Sequence, residues 1–248
     1  MGRYIVKRTI SAFITILFIM TITFILMNNL PGDPFTSERQ QSPEIKEAIY
    51  AKYGLDQPAH IRYFRYLRDY AKGDFGISFQ KKGVTVNQLI EDGFPYSMKI
   101  GISASVFIIV VGVILGMISA LKQNKVADRG VMILSTLGVT IPSFVLATGF
   151  LYIFSKKLGW APSFGADTWK HYVGPVLAIS GFNLAFIARL SRTSLVEVLQ
   201  QDYIRTARAK GLSEYKVILK HAMRNSLIPV VTYIGPMIAA IVTGSFVI

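Results

Sequence analysis

The chain has 248 residues, 52% of them hydrophobic and only 17% charged, with a mean hydropathy of +0.43. A soluble domain of this length carries closer to a quarter charged residues, so composition excludes an ordinary water-soluble globule. The net charge of +13 invites a nucleic-acid reading, but no aromatic-basic patch of a nucleic-acid reader is present, and the absence of cysteine excludes disulfide and thiol chemistry.

About 20 mostly apolar residues are needed to cross a bilayer. Five stretches qualify, near 9–30, 98–121, 130–155, 173–188 and 226–248, and their interiors lack Asp, Glu, Lys and Arg. Arg3, Lys7 and Arg8 precede the first. Its apolar run is too long for a signal peptide and ends in "NNLPGD" rather than a small-residue cleavage site, so a retained helix is expected. Pro31 and Pro34 cannot continue it. The following segment, 31–97, is expected to form an extracytoplasmic helical loop. Ser42, Pro43 and Gly54 mark the cap, first turn and end of a short helix over 42–54. A second is expected over 57–76, where Ile61, Phe64 and Leu67 recur at helical spacing with Arg62, Arg65, Arg68 and Asp69 on other faces. Such an amphipathic helix either lies on the membrane domain and headgroups or docks an external partner. Asp74-Phe75-Gly76 has no kinase companions and reads as a turn.

Residues 98–248 read as a membrane core. In its first run, Gly101, Ser105, Gly112, Gly116 and Ala120 predict close helix packing. Asp128 and Arg129 introduce the next, which Pro142 is expected to kink; the fourth is short, and Pro175 starts it. Lys and Arg set the orientation. The N-terminus carries three, the loop at 122–129 three, and the segment 189–225 eight, against three at 156–172. Segment 31–99 is too long to vote, so the N-terminus, 122–129 and 189–225 are placed on the cytoplasmic side.

Segment 189–225 is not a solvated linker. Leu195, Val198, Leu199, Tyr203 and Ala207 follow helical steps, Gly211 interrupts them, and Val217, Ile218, Ala222 and Met223 resume. Ser213 is placed to cap the second helix, with Glu214 in its first turn. Ala207, Ala209 and Gly211 are expected to form a narrow edge ringed by Arg205, Arg208 and Lys210. That shape suits a groove on a soluble partner; the alternative is a helix resting on anionic lipid.

The stretch "DYIRTARAKGLSEYKVILKHAMRNSLIPVVT" resembles the cytoplasmic signature loop of ABC-importer permeases of the oligopeptide/dipeptide/nickel family. The superfamily pattern runs Glu-Ala-Ala, three residues, Gly, nine residues, Ile-x-Leu-Pro. Here Arg205 and Thr206 replace Glu and the first Ala, Ala207 and Gly211 match, and His221-Ala222-Met223-Arg224 replaces the closing motif, in the manner of the peptide branch. "RYIVKR", "LPGDPF", "YGLDQP", "GDFGIS" and "IPSF" follow in the order of the first permease subunit, so the resemblance covers essentially the whole chain.

The resemblance implies an all-α polytopic membrane protein of the ABC importer type I permease fold in a bacterial plasma membrane. It implies six spans; a sixth is absent from these residues, which stop at Ile248 inside an apolar run. It further implies no catalysis and no cofactor in this chain, with ATP bound by partners. Those partners are a second permease, two cytoplasmic ATPases and an extracytoplasmic binding protein. Carried over by position, the ATPase contact would comprise Tyr203, Arg205, Ala207, Arg208, Ala209, Lys210, Gly211 and Ser213. The substrate would be oligopeptide or dipeptide, alternatively nickel or another small solute. An ion-coupled secondary transporter would need an ionisable relay within a span, and none is seen. An intramembrane enzyme would need a catalytic set there, and none is seen. No phosphate-cradling Gly-rich motif occurs, and His60, His171 and His221 lack metal-ligand spacing.

Overall fold

A computed structural model describes residues 2–29, 56–78, 81 and 83–243, and the described residues are almost wholly helical. The helix expected over 42–54 lies outside them. The chain divides at Asp92/Gly93 into two compact units, and α3 (Val86–Leu121) contains that boundary.

In the first unit, α1 (Gly2–Asn29) buries none of its residues and exposes apolar side chains around its whole circumference, as lipid rather than water requires. Helix α2 (Ala59–Ala71) is shorter than the expected 57–76, because the left-handed Gly73 (φ +77°) ends it. Tyr63 shares a 2.7 Å hydrogen bond with the Thr21 hydroxyl, and Tyr63 and Tyr66 pack on the Phe24 ring. Burial beside Tyr70 pushes the Tyr66 hydroxyl up to about 12. Asp74-Phe75-Gly76 is a turn, in which the Asp74 carboxylate accepts the Gly76 N–H at 2.9 Å. Thr85 and Gln88 then exchange side-chain-to-backbone bonds in a capping box that opens α3.

The second unit is organised around α6 (Lys170–Leu199). It is far longer than the expected span of 173–188, and its last three turns form the first part of the helical segment expected from Arg189 onward. Helices α4 (Val126–Thr140), α5 (Ser143–Lys157, π-helical from Leu151), α3 and α9 (Ile228–Val242) surround it. The small-residue stripe of α3 is buried as expected, Gly112 and Gly116 against α6 and Gly101 against Val242 of α9. A Cβ on Gly116 would stand 2.5 Å from the Ser191 Cβ and 2.6 Å from the Ala188 carbonyl oxygen, so only glycine permits this crossing. Ala104 and Ile108 of α3, Ile187 of α6, and Val230, Met237 and Ile241 of α9 form the membrane-level core.

Two breaks are marked by proline, and the first departs from expectation. The third run is no straight span with a mild kink: α4 and α5 meet at 101°. Pro142 forces the preceding Ile141 into extended backbone (ψ 119°), which ends α4 outright. The second break, at 50°, separates α8 (Glu214–Ser226) from α9 beside Pro229. Three helices, Gly2–Asn29, Val86–Leu121 and Lys170–Leu199, are long and apolar enough to cross a membrane, and five spans result if each bent pair is one.

Candidate functional site: the helical elbow at 200–226

The long helix predicted from Arg189 toward Gly211 breaks ten residues early. Helix α6 ends at Leu199, and α7 (Asp202–Ala209) begins after the extended Gln201 (ψ 149°). Helix α7 is short and strongly two-faced. Ile204 is fully buried and Ala207 is 6% exposed, while Asp202, Tyr203, Arg205, Thr206, Arg208 and Ala209 face outward. The buried face joins Ala120 of α3, Leu195 of α6, and Val217 and Ala222 of α8 in one apolar cluster. Of the periodic apolar positions read from sequence, Leu195, Ala207, Val217 and Ala222 lie in this core and Val198, Leu199 and Met223 pack against it, whereas Tyr203 is exposed and its neighbour Ile204 is buried instead. This core seats the elbow on the ends of two long helices.

The turn after α7 is a Schellman motif. The Gly211 N–H reaches the Arg208 carbonyl at 2.9 Å, and the Leu212 N–H reaches the Ala207 carbonyl at 3.4 Å. Gly211 holds φ +76°, a region that a side chain disfavours, although a Cβ there would meet nothing of this chain within 4 Å. Glycine is thus required by backbone geometry rather than by crowding within the chain. The Arg208 guanidinium spans the turn, donating from Nη2 to Glu214 Oε1 at 2.6 Å and from Nε to Oε2 at 3.1 Å. This pairing holds the Glu214 carboxyl below the usual carboxylate range and raises Arg208. Asn225 donates to the Tyr203 hydroxyl at 2.9 Å and closes α7 onto α8.

The eight residues read as a partner contact are brought together, but not on one face. Ala207 turns inward and cannot offer its side chain to a partner. Residues two apart on a helix point about 200° apart, so Ala207 and Ala209 do not make a single narrow edge. Tyr203, Arg205, Arg208, Ala209, Lys210, Gly211 and Ser213 remain exposed. Ser213 occupies the cap position of α8, yet its side chain makes no capping bond. Glu214 instead answers Arg208.

Sequence reading missed the anchor behind the elbow. Asp128, 3% exposed, accepts from Arg192 Nε at 2.6 Å and Nη2 at 2.8 Å, from the Asn124 N–H at 2.8 Å, and from the Ser119 hydroxyl. One carboxylate therefore ties together the end of α3, the 122–125 turn, the start of α4 and the last turns of α6. A faint signal existed, since Asp128 is the lone acid in the otherwise basic segment 122–129. Among the described residues, no group of three His, Asp or Glu side chains is arranged to hold a metal.

The sequence profile described as "Binding-protein-dependent transport system inner membrane component" matches residues 112–248, and its N-terminal companion matches residues 1–101. The chain belongs to this family of transport permeases. The dipeptide transport system permease protein DppB of Bacillus subtilis (strain 168) is 45% identical over 251 residues, covering all of this chain and 80% of that protein. The oligopeptide transport system permease protein OppB of Haemophilus influenzae is 46% identical, covering all of this chain and 82% of that protein. The glutathione transport system permease protein GsiC of Shigella flexneri is 34% identical, again over the whole chain and 81% of that protein. Family and apolar helices together make this a multi-pass membrane protein, an all-α polytopic ABC permease.

Proposed function

We propose that this chain is the first permease subunit of an ATP-driven importer for oligopeptides or dipeptides in a bacterial inner membrane. Its N-terminus and elbow face the cytoplasm. It works beside a second, similar permease, two cytoplasmic ATPases that bind the ATP, and an extracytoplasmic binding protein that delivers the peptide. The chain itself performs no chemistry and holds no cofactor.

The observation that carries this reading is the construction of the elbow. Its outward face is polar and basic, while its inward face is welded by apolar packing into the ends of α3 and α6. A thrust applied at Tyr203, Arg205 and Lys210 therefore reaches two long helices without passing through a flexible hinge. The exposed Arg208–Glu214 pair spans the Gly211 turn and trims its shape. Names borne by the peptide relatives support peptide over nickel as cargo. Nucleotide-driven closure of the ATPases would then swing α3 and α6 together.

The test is uptake of a radiolabelled dipeptide or tripeptide by proteoliposomes containing the full transporter with its binding protein. ATP inside the vesicles should drive uptake without an ion gradient. Gly211→Asp should keep ATP hydrolysis but abolish most of the accumulation. Uptake that follows an ion gradient and ignores ATP would overturn the proposal, as would normal coupling in Gly211→Asp.

A further inference from the structure

Two arginines sit one turn apart on α6 and meet opposite fates. Arg192 is neutralised by Asp128. Arg189 belongs to none of the ion pairs among the described residues, which are Arg68–Asp69, Arg192–Asp128, Arg205–Asp202 and Arg208–Glu214. Its Nε is buried without a hydrogen-bond partner. Its one bond runs from Nη2 to the Thr136 hydroxyl of α4, at 2.7 Å. Thr136 in turn donates its own proton to the Met132 carbonyl at 2.9 Å, so its oxygen is fixed as an acceptor and holds the guanidinium in one orientation.

The direction of this side chain is informative. An arginine near a membrane boundary ordinarily snorkels toward water. Side chains on a helix lean toward its N-terminus, which for α6 is the end remote from the elbow. Thr136 lies eight residues past Asp128, so about 12 Å farther along α4 from the elbow end. Arg189 therefore points its charge inward along the span, away from the loops. Thr136 and Thr140, on the same exposed stripe of α4, add polar groups beside it. The two hydroxyls are satisfied by their own helix, but an unneutralised guanidinium cannot face acyl chains at that depth, so this face meets water or another chain.

We infer that Arg189, oriented by Thr136, is a substrate-contacting station on the translocation route that receives the α-carboxylate of the peptide. This rests on the peptide-permease reading above. The chemistry fits the cargo: every unmodified peptide ends in a carboxylate whatever its side chains, and a guanidinium with free N–H donors takes a carboxylate in a forked pair. One fixed contact then serves peptides of many sequences.

The test uses the complete transporter in proteoliposomes with internal ATP and saturating binding protein. Trialanine and trialanine C-terminal amide are the probes, and each variant's rate is divided by the wild-type rate for the same peptide, so that preferences of the binding protein cancel. Arg189→Gln should lower trialanine uptake at least tenfold and amide uptake less than twofold, with Arg189→Lys between Gln and wild type for trialanine. Equal losses for both peptides would mean that Arg189 pairs with an acid of a neighbouring chain or serves structure, and would overturn the inference; so would no loss for either. If wild-type vesicles take up no peptide, the parent reading fails instead. A second measurement is independent of the arginine variants. The chain contains no cysteine, so Thr140→Cys, which keeps the Thr136 hydroxyl that orients Arg189, offers it a single thiol. Under mild oxidation during transport, this thiol should capture a tripeptide whose last residue is cysteine several-fold more than one whose first residue is cysteine. Equal capture of the two, or capture of neither, would overturn the inference.

Discussion

The two forked arginine–carboxylate pairs of the second unit use the same chemistry in opposite surroundings. Arg192–Asp128 is enclosed, with side-chain exposures of 21% and 4%, and Asp128 accepts two further bonds from Ser119 and Asn124. Arg208–Glu214 has nearly the same geometry but side-chain exposures of 42% and 56%. Geometry alone would rank them equal. Burial separates them: an enclosed charge that loses its partner has no water to replace it, whereas an exposed one simply rehydrates. The buried pair therefore anchors the end of the helix cluster, and the exposed pair only trims the shape of a turn.

The largest expected effect follows from breaking the buried pair on one side. Arg192→Ala leaves Asp128 charged and enclosed and should destabilise the fold by about 3–5 kcal/mol. The check is thermal unfolding of the detergent-purified transporter, together with the amount of folded chain in membranes. Replacing both partners sharpens the comparison. An Asp128→Leu/Arg192→Met double variant should recover most of that loss, because apolar substitutes for a buried pair are often neutral or better. A double variant as unstable as Arg192→Ala would show that the bonds from Ser119 and Asn124, not the charge pairing, set the value of the site.

Neither pair was read from sequence, and only one lay within reach of local signals, for a physical reason. Arg208 and Glu214 are six residues apart across a glycine, so local turn geometry brings them together. The elbow was readable for the same reason: apolar periodicity at Leu195, Val217 and Ala222 and the break at Gly211 are local signals. Asp128 and Arg192 are 64 residues apart, and their meeting depends on how α3, α4 and α6 pack. The inward turn of Arg189 toward Thr136, 53 residues away, was hidden likewise. Proline placed the break at Pro142 but not its size of 101°, which no local signal carries. The inward aim of Ala207 is a matter of helix phase. The extra break at Gln201 shifted that phase, and no glycine or proline announces it.

An intermediate effect belongs to the turn beneath the exposed pair. Gly211→Ala meets no steric obstacle in this chain, yet it places a Cβ on a left-handed residue. The expected cost is about 1–2 kcal/mol, confined to the elbow. Hydrogen exchange should rise in α7 and the start of α8 and stay unchanged in α3 and α6. Exchange that rises equally in all four would mean that the elbow and the long helices unfold as one unit, which would erase the distinction between anchor and trim.

The smallest effect should come from the exposed pair itself. Arg208→Gln is expected to cost under about 1 kcal/mol, and less again in molar salt, where exposed charges are screened. Its pH dependence has a definite sign. Glu214 is held below its ordinary value by hydrogen bonds from Arg208. A carboxylate lowered in the folded state stabilises fully above its unfolded value and loses that contribution as pH falls through the folded value. Stability supplied by the pair should thus be constant at neutral pH and fade below about pH 4.3, the ordinary value for a glutamate. Wild type and Arg208→Gln should then differ in elbow exchange rates near pH 7 and converge as the pH falls through the lowered Glu214 value. A difference that instead widened on acidification would mean that Arg208 acts through something other than the Glu214 carboxylate. The most direct alternative is that its guanidinium braces the Gly211 turn through the backbone carbonyls that end α7.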